Sequence, residues 1–518
     1  MPNSFRLRAA ALTAAAALSA LLAGCSDDSG SDSGGDEDLT AQELDWKDCP
    51  APSEAEGGGA APSPLPDGTQ WQCATMKAPL DWDDPKGDTI GLALIRAEAS
   101  GEAGRRIGSL VFNFGGPGGS GVTTLPAFGQ DYATLRTRYD LVSFDPRGVG
   151  RSAPVECLDD KQLDTYFQQD ATPDDAAERT ELLDNTEDFN AACEKNSRKI
   201  LPHVRTTDAA RDMELMRQVL GDDKLHYFGI SYGTELGGVY AHLFPEKVGR
   251  AVFDAVVDPT QTPEQGSLAQ AKGFQLALDN YAEDCVSKVE DCPVGDSAQN
   301  VKDRVARLLK DLDRNPIPGV FPRELTQTAA TGGIAQALYS KDFWEYLTDG
   351  LEQAYEGDGR VLMVLSDALN GRNEDGEYSN ITAANVAINC ADAKPRYDPA
   401  YVRRRLPEFR QASALFGDYL AWSMLSCTDW PVPGAAAHPD VSAPGAPPIL
   451  VIGNTGDPAT PYAGAGKMVD ALGKGVGVEL TYRGQGHGAY DSKNKCVQDA
   501  VHGYLLDGKV PAAQTVCS

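Results

Sequence analysis

Beyond residue 25 the 518-residue chain contains no apolar run long enough to cross a bilayer as a helix, which takes roughly 20 consecutive apolar residues. No further membrane-spanning helix is expected. Cations are scarce too: 46 Lys and Arg stand against 76 Asp and Glu, a formal net charge of -30. Neutralising phosphates takes clustered Lys and Arg, so nucleic acid is not an expected partner. There is no C-x-x-C and no clustered Cys/His spacing, which argues against a zinc site or any other metal centre. The glycine-rich loop at residues 115–121 lacks the Lys-Ser/Thr ending of a P-loop, which argues against nucleotide binding. Only six histidines are present, so a reaction that needs an imidazole has few places to find one.

What is present begins with an export signature. Arg6 and Arg8 precede an Ala/Leu run that ends in L-A-G-C at residues 22–25, and residues 1–25 read as a signal segment. L-A-G-C resembles the bacterial lipobox, which makes Cys25 the expected lipidated residue and a lipid anchor the expected membrane contact. Residues 26–38 hold six carboxylates and no apolar side chain, so residues 26–44 are expected to form a flexible acidic tether. The protein is expected at the outer face of the cell membrane, or secreted. Setting Cys25 aside leaves an even number of the eleven cysteines in a chain addressed to an oxidising compartment. They allow many connectivities; nearest-neighbour pairing gives Cys49 with Cys73, Cys157 with Cys193, Cys285 with Cys292, Cys390 with Cys427, and Cys496 with Cys517.

The chain is organised around residues 224–245, K-L-H-Y-F-G-I-S-Y-G-T-E-L-G-G-V-Y-A-H-L-F-P. Residues 225–228 form an apolar run of strand length, and Leu236, Val239, Tyr240 and Leu243 recur at helical spacing. G-I-S-Y-G therefore lies where a strand turns sharply into a helix. Such a turn strains its central residue and needs small neighbours two positions away, which Gly229 and Gly233 supply. Among 53 glycines a bare G-x-S-x-G is a weak signal, and its strand and helix flanks strengthen it.

Strands and helices alternate around this turn. Residues 109–114 read as a buried strand running into the glycine loop, where an unhindered backbone N–H could approach developing negative charge. Residues 141–144 and 249–257 read as further strands and 207–220 as a helix capped by Thr206 or Thr207, as a mostly parallel, doubly wound sheet requires. From residue 259 to 444 the alternation stops and helical periods dominate, the mark of a helical insertion. The sheet resumes at residues 448–452 and 476–482. The expected division is a core over residues 45–258, a helical lid over 259–444 and a second core segment over 445–518. Acyl transfer needs a nucleophile, a base and a carboxylate that orients the base. Ser231, His487 and Asp457 supply them in loops that follow strands, which gather at one sheet edge. Asp254 and Asp258 are the competing acids.

G-I-S-Y-G, F-G-G-P-G-G-S-G, F-D-P-R-G-V-G-R-S and G-N-T-G-D-P-A-T-P together resemble the α/β-hydrolase family of secreted tripeptidyl aminopeptidases, related to proline iminopeptidases, over about residues 45–518. The resemblance implies an α/β-hydrolase fold with a helical lid before the strand that carries the acid, and a triad of Ser231, Asp457 and His487. It implies an oxyanion hole from the amides of Tyr232 and Gly115, with Phe114 where the family often has histidine. Thr460, three residues after Asp457, is placed either to orient the acid or to cap a helix. The related aminopeptidases hold the substrate ammonium with acidic groups near the lid, for which Glu235 and Asp392 are the candidates. The expected function is a serine exopeptidase acting on peptides with free N-termini, without metal or organic cofactor. An esterase or amidase on small acyl substrates, and an exported binding protein with a vestigial site, are the alternatives, because fold does not settle substrate. Oligomeric state is not legible.

Overall fold

A computed structural model describes residues 38–288 and 292–518. The signal segment with Cys25, and residues 26–37 of the expected tether, lie outside the described residues. Strands β1 (Lys47–Asp48), β2 (Gln72–Pro79), β3 (Thr89–Ala97), β4 (Gly108–Asn113), β5 (Tyr139–Phe144), β6 (Leu225–Ile230) and β7 (Val248–Asp254) come first in the chain. A small hairpin, β8 (Ile317–Pro318) and β9 (Glu324–Leu325), interrupts a long helical stretch, after which β10 (Ile449–Gly456), β11 (Gly477–Gln485) and β12 (Thr515–Cys517) follow. All except the hairpin belong to one ten-stranded sheet of order β1-β2-β3-β5-β4-β6-β7-β10-β11-β12. From β5 to β12 every pairing is parallel, whereas β1, β2 and β3 run antiparallel to their neighbours.

Alternate residues of the central strands enter two separate cores, one on each face of the sheet. Val111, Tyr227, Ala251, Phe253 and Val451 pack on one side, and Leu110, Phe112, Phe228, Val252 and Leu450 on the other. A sheet covered on both faces reads in sequence as unbroken apolar runs, and these strands do. Strand order reverses beside β4, which has β5 on one side and β6 on the other. In parallel sheets the crevice beyond the strand ends at such a reversal is where ligands bind.

Between β7 and β10 the chain is helical, from Pro263–Lys288 through Gly417–Trp422. These helices bury a third apolar cluster of their own, including Phe274, Leu309, Ile334, Leu351 and Phe416. Five disulfides join Cys49 to Cys73, Cys157 to Cys193, Cys285 to Cys292, Cys390 to Cys427 and Cys496 to Cys517.

Two expectations need correction. Residues 38–44 are not tether: Leu39 and Leu44 pack on the core, and the Gln42 amide bonds the backbone of Lys77 in both directions. Acidic composition hid those two leucines. The helix Thr206–Val219 is not capped by its own threonines; Asp392 accepts both the Thr206 N–H and the Thr206 hydroxyl. A helix cap can be supplied from far along the chain, and local spacing cannot reveal that.

Candidate active site

Ser231 follows β6 directly and precedes the helix Tyr232–Leu243, with φ 59° and ψ -126°. An L-residue rarely adopts this conformation, so surrounding contacts must enforce it. Its N–H donates to the Asp254 carbonyl at the end of β7 (3.1 Å). The Thr234 hydroxyl donates to the Ser231 carbonyl and accepts the Val257 N–H. Both flanking glycines are sterically required: a Cβ on Gly229 would lie 2.4 Å from the Gly233 carbonyl, and one on Gly233 2.4 Å from the Asn113 carbonyl.

His487 and Asp457 meet as the loop reading requires. His487 Nδ1 lies 2.9 Å from Asp457 Oδ1 and 3.1 Å from Oδ2, which leaves Nε2 as the outward ring nitrogen. Asp457 is 1% exposed and accepts further bonds from the N–H groups of Ala459 and Thr460 and from the Thr460 hydroxyl. Thr460 thus holds the carboxylate, which caps the turn by accepting its N–H, while the cap of the next helix is Tyr462. Burial works to lower the His487 pKa, but the Asp457 carboxylate and, more weakly, Asp254 outweigh it and raise the pKa above its usual value. The two competing acids behave differently. Asp258 binds the N–H and hydroxyl of Thr260 in a local turn, while Asp254 is buried behind the histidine loop.

The glycine loop lies against the nucleophile. A Cβ on Gly115 would sit 2.8 Å from Ser231 Cβ and 3.1 Å from the Tyr232 nitrogen. Tyr232 opens its helix, so its N–H has no intrahelical acceptor. The Gly115 N–H, expected as the second oxyanion donor, is already bonded to Asn113 Oδ1 at 3.1 Å. The next amide, Gly116, makes no hydrogen bond among the described residues. Asn113 lies inside the strand run, and nothing in the motif signals that its side chain folds back on the loop.

Glu235 and Asp392 come near enough for Asp392 to act on both Glu235 and Tyr232 electrostatically. Asp392 is engaged with Thr206, whose hydroxyl also meets the Tyr232 phenol at 2.6 Å; burial pushes its pKa up to about 6. Glu235 makes no hydrogen bond among the described residues, and burial, then the charge of Asp392, pushes its carboxyl up to about 8. Asp145 and Arg147 are structural. Asp145 holds the Ser120 hydroxyl and the Val122 and Arg151 amides, and Arg147 forms a fully buried bidentate pair with Asp212.

The helical insertion touches both sides of the site. Asn385 donates to the Pro117 carbonyl of the glycine loop. The Tyr339 carbonyl accepts the His487 N–H, its ring stands edge to face with the imidazole at 5.2 Å, and Asn280 donates to Gln485. A Cβ on Gly273 would lie 2.3 Å from the Pro458 carbonyl beside the acid. Among the described residues no group of His, Cys, Asp and Glu is arranged to hold a metal ion.

A mainly parallel sheet that carries a serine on a strained strand-to-helix turn, and an Asp–His pair on later loops of the same edge, defines the chain as an α/β hydrolase. The family model for "TAP-like protein" matches residues 412–517. Serine protease Hip1 of Mycobacterium tuberculosis is 36% identical over 523 residues, covering 97% of this chain and 96% of that protein. Carboxylesterase B of the same organism is 36% identical over 457 residues, 86% of each chain. Tripeptidyl aminopeptidase of Streptomyces lividans is 31% identical over 493 residues, 92% of this chain and 86% of that protein. The chain belongs to this tripeptidyl-aminopeptidase-like family of α/β hydrolases.

Proposed function

We propose that the chain is an exported serine exopeptidase that cleaves peptides near a free N-terminus through an acyl-enzyme on Ser231. The observation that carries the reading is the buried Asp457 fixed on His487 Nδ1, on the same sheet edge as the strained Ser231. With Nδ1–H held by the carboxylate, Nε2 takes the Ser231 proton as Oγ attacks the carbonyl. The oxyanion forms against the N–H groups of Tyr232 and Gly116, donors left without a protein acceptor among the described residues. His487 then gives the proton to the leaving amine, and water, activated by the same nitrogen, releases the acyl group.

Glu235 is the group assigned to the substrate ammonium, with residues 259–444 as the lid that limits access. Burial and the charge of Asp392 hold the Glu235 carboxyl up at about 8, so it gives up its proton as the substrate ammonium arrives to compensate the charge, and the resulting pair is stronger than it would be in water. Asp392 has both oxygens on Thr206 and is left to that structural role, its charge acting on Glu235 only by raising its pKa. Peptides are the substrate class that the names of Hip1 and tripeptidyl aminopeptidase favour. The name of Carboxylesterase B favours a second reading, an esterase on small acyl substrates. Comparing a good tripeptide substrate with its Nα-acetyl form decides: the exopeptidase loses at least about tenfold in kcat/KM on acetylation, the ~1.4 kcal/mol of one charge-assisted contact. Equal turnover of both forms, or ready cleavage inside folded proteins, refutes it.

Five disulfides suit an oxidising compartment, and the lipobox-like L-A-G-C supports lipid attachment at Cys25. One acyl chain binds a membrane only marginally, so durable retention needs several. An unmodified mature N-terminus at or beyond Cys25, seen by mass spectrometry of natively exported protein, rules out the anchor.

A further inference from the structure

Asp254 is the buried acid that the proposed mechanism leaves unused. It ends β7, is 2% exposed, and pairs with no cation among the described residues. Its Oδ1 accepts the N–H groups of Ala255 (2.8 Å) and Ala489 (3.0 Å), and its Oδ2 those of Ala489 (3.0 Å) and Tyr490 (2.8 Å). Burial raises the Asp254 pKa above the usual carboxylate value, and the three backbone N–H donors work against that by favouring the ionised form. Its own backbone carbonyl receives the Ser231 N–H. Ala255, the next residue, has φ 55°, a conformation that persists only where its neighbours enforce it.

We propose that Asp254 is a positioning residue that fixes the spacing between Ser231 and His487 from one strand end, its carbonyl holding the nucleophile turn and its carboxylate holding the histidine loop. The histidine loop is held two and three residues beyond His487, where a Cβ on Gly488 would come within 3.8 Å of Asp254 Oδ2. The arrangement also has an electrostatic side. The groups that act on His487 are Asp457 from the loop after β10 and Asp254 from β7, with Tyr339 of the insertion packed on the ring. Those coupled to Asp254 are Asp457, Asp491 and Tyr132. In its ionised form Asp254 adds negative charge beside the imidazole and, after Asp457, raises its basicity. An Asn in its place keeps the shape, removes that charge and turns an NH2 toward backbone N–H groups.

The inference rests on the Ser231–Asp457–His487 reading, so Ser231→Ala and Asp457→Asn are measured in the same series. If either of those keeps normal turnover, the triad reading fails, whatever Asp254 does. With both inactivated, Asp254→Asn is expected to lose about 10- to 100-fold in kcat, the scale of a small misplacement of reacting groups. KM should stay within about threefold, and the acid limb of the kcat/KM profile should move to lower pH as the imidazole loses basicity. Asp254→Ser, which removes the charge with less crowding, should shift the limb the same way and keeps the test open if the Asn variant does not fold. An unmoved acid limb, with or without a fall in kcat, overturns the inference. So does a fall as large as that of Asp457→Asn, which would make Asp254 the acid of the triad.

Discussion

The two halves of the site differ in how fully their hydrogen-bonding capacity is used. On the histidine side both oxygens of Asp457 and both of Asp254 accept bonds, and the insertion adds a carbonyl to the His487 N–H. On the serine side the Gly116 N–H, the Ser231 hydroxyl and the Glu235 carboxyl make no hydrogen bond among the described residues. Groups that must keep a fixed geometry are saturated, and groups that must meet a substrate are not. Gly116 is exposed and Ser231 and Glu235 are half-buried, so these groups stay reachable by a ligand, whereas Asp457 and Asp254 are sealed in.

Removing the nucleophile breaks the open half outright. Ser231→Ala should lower kcat by about 10⁶-fold, the scale seen when a member of such a triad is deleted. Next comes the saturated half: Asp457→Asn should cost about 10⁴-fold in kcat through the wrong imidazole tautomer, whereas Asp258→Asn should leave turnover near normal. A reversed outcome for the two aspartates, read by steady-state kinetics, moves the acid to the other loop. Glu235→Gln sharpens the contrast with a smaller effect. It should cost about tenfold in kcat/KM on a free tripeptide and little on the acetylated one; equal losses on both would remove Glu235 from amine recognition.

The pH dependence follows from the His487 shift. The base must be neutral to act, and its pKa is raised above 6.5, so kcat/KM should fall as pH drops through a value above 6.5 rather than below it. A limb at or below that value would show that burial, not the carboxylates, dominates at the imidazole. The smallest effect tests the joint between insertion and core. Gly273→Ala puts a methyl against the Pro458 carbonyl and should cost about 1–3 kcal/mol in stability, typical of overpacking, measured by thermal unfolding.

Much of this was legible in sequence because periodicity reports burial. The runs at residues 225–230 and 449–452 lie in strands covered on both faces, and the G-x-S-x-G glycines stand where backbone atoms would collide with a Cβ. Strands β2 and β3 escaped notice because they carry mixed burial patterns. The capping of Thr206 by Asp392 and the bond between Asn113 and Gly115 are tertiary or side-chain choices that no local period encodes. Asp254 was visible only as a rival acid at a strand end, since two of its three amide donors, Ala489 and Tyr490, lie some 235 residues further along the chain.

The most direct measurement is labelling of the intact protein by a fluorophosphonate, followed by peptide mapping. The account predicts one adduct per chain, on Ser231, with turnover lost in proportion to labelling and no adduct in Ser231→Ala. Full turnover after complete labelling of Ser231, or an active enzyme that never labels there, would contradict it.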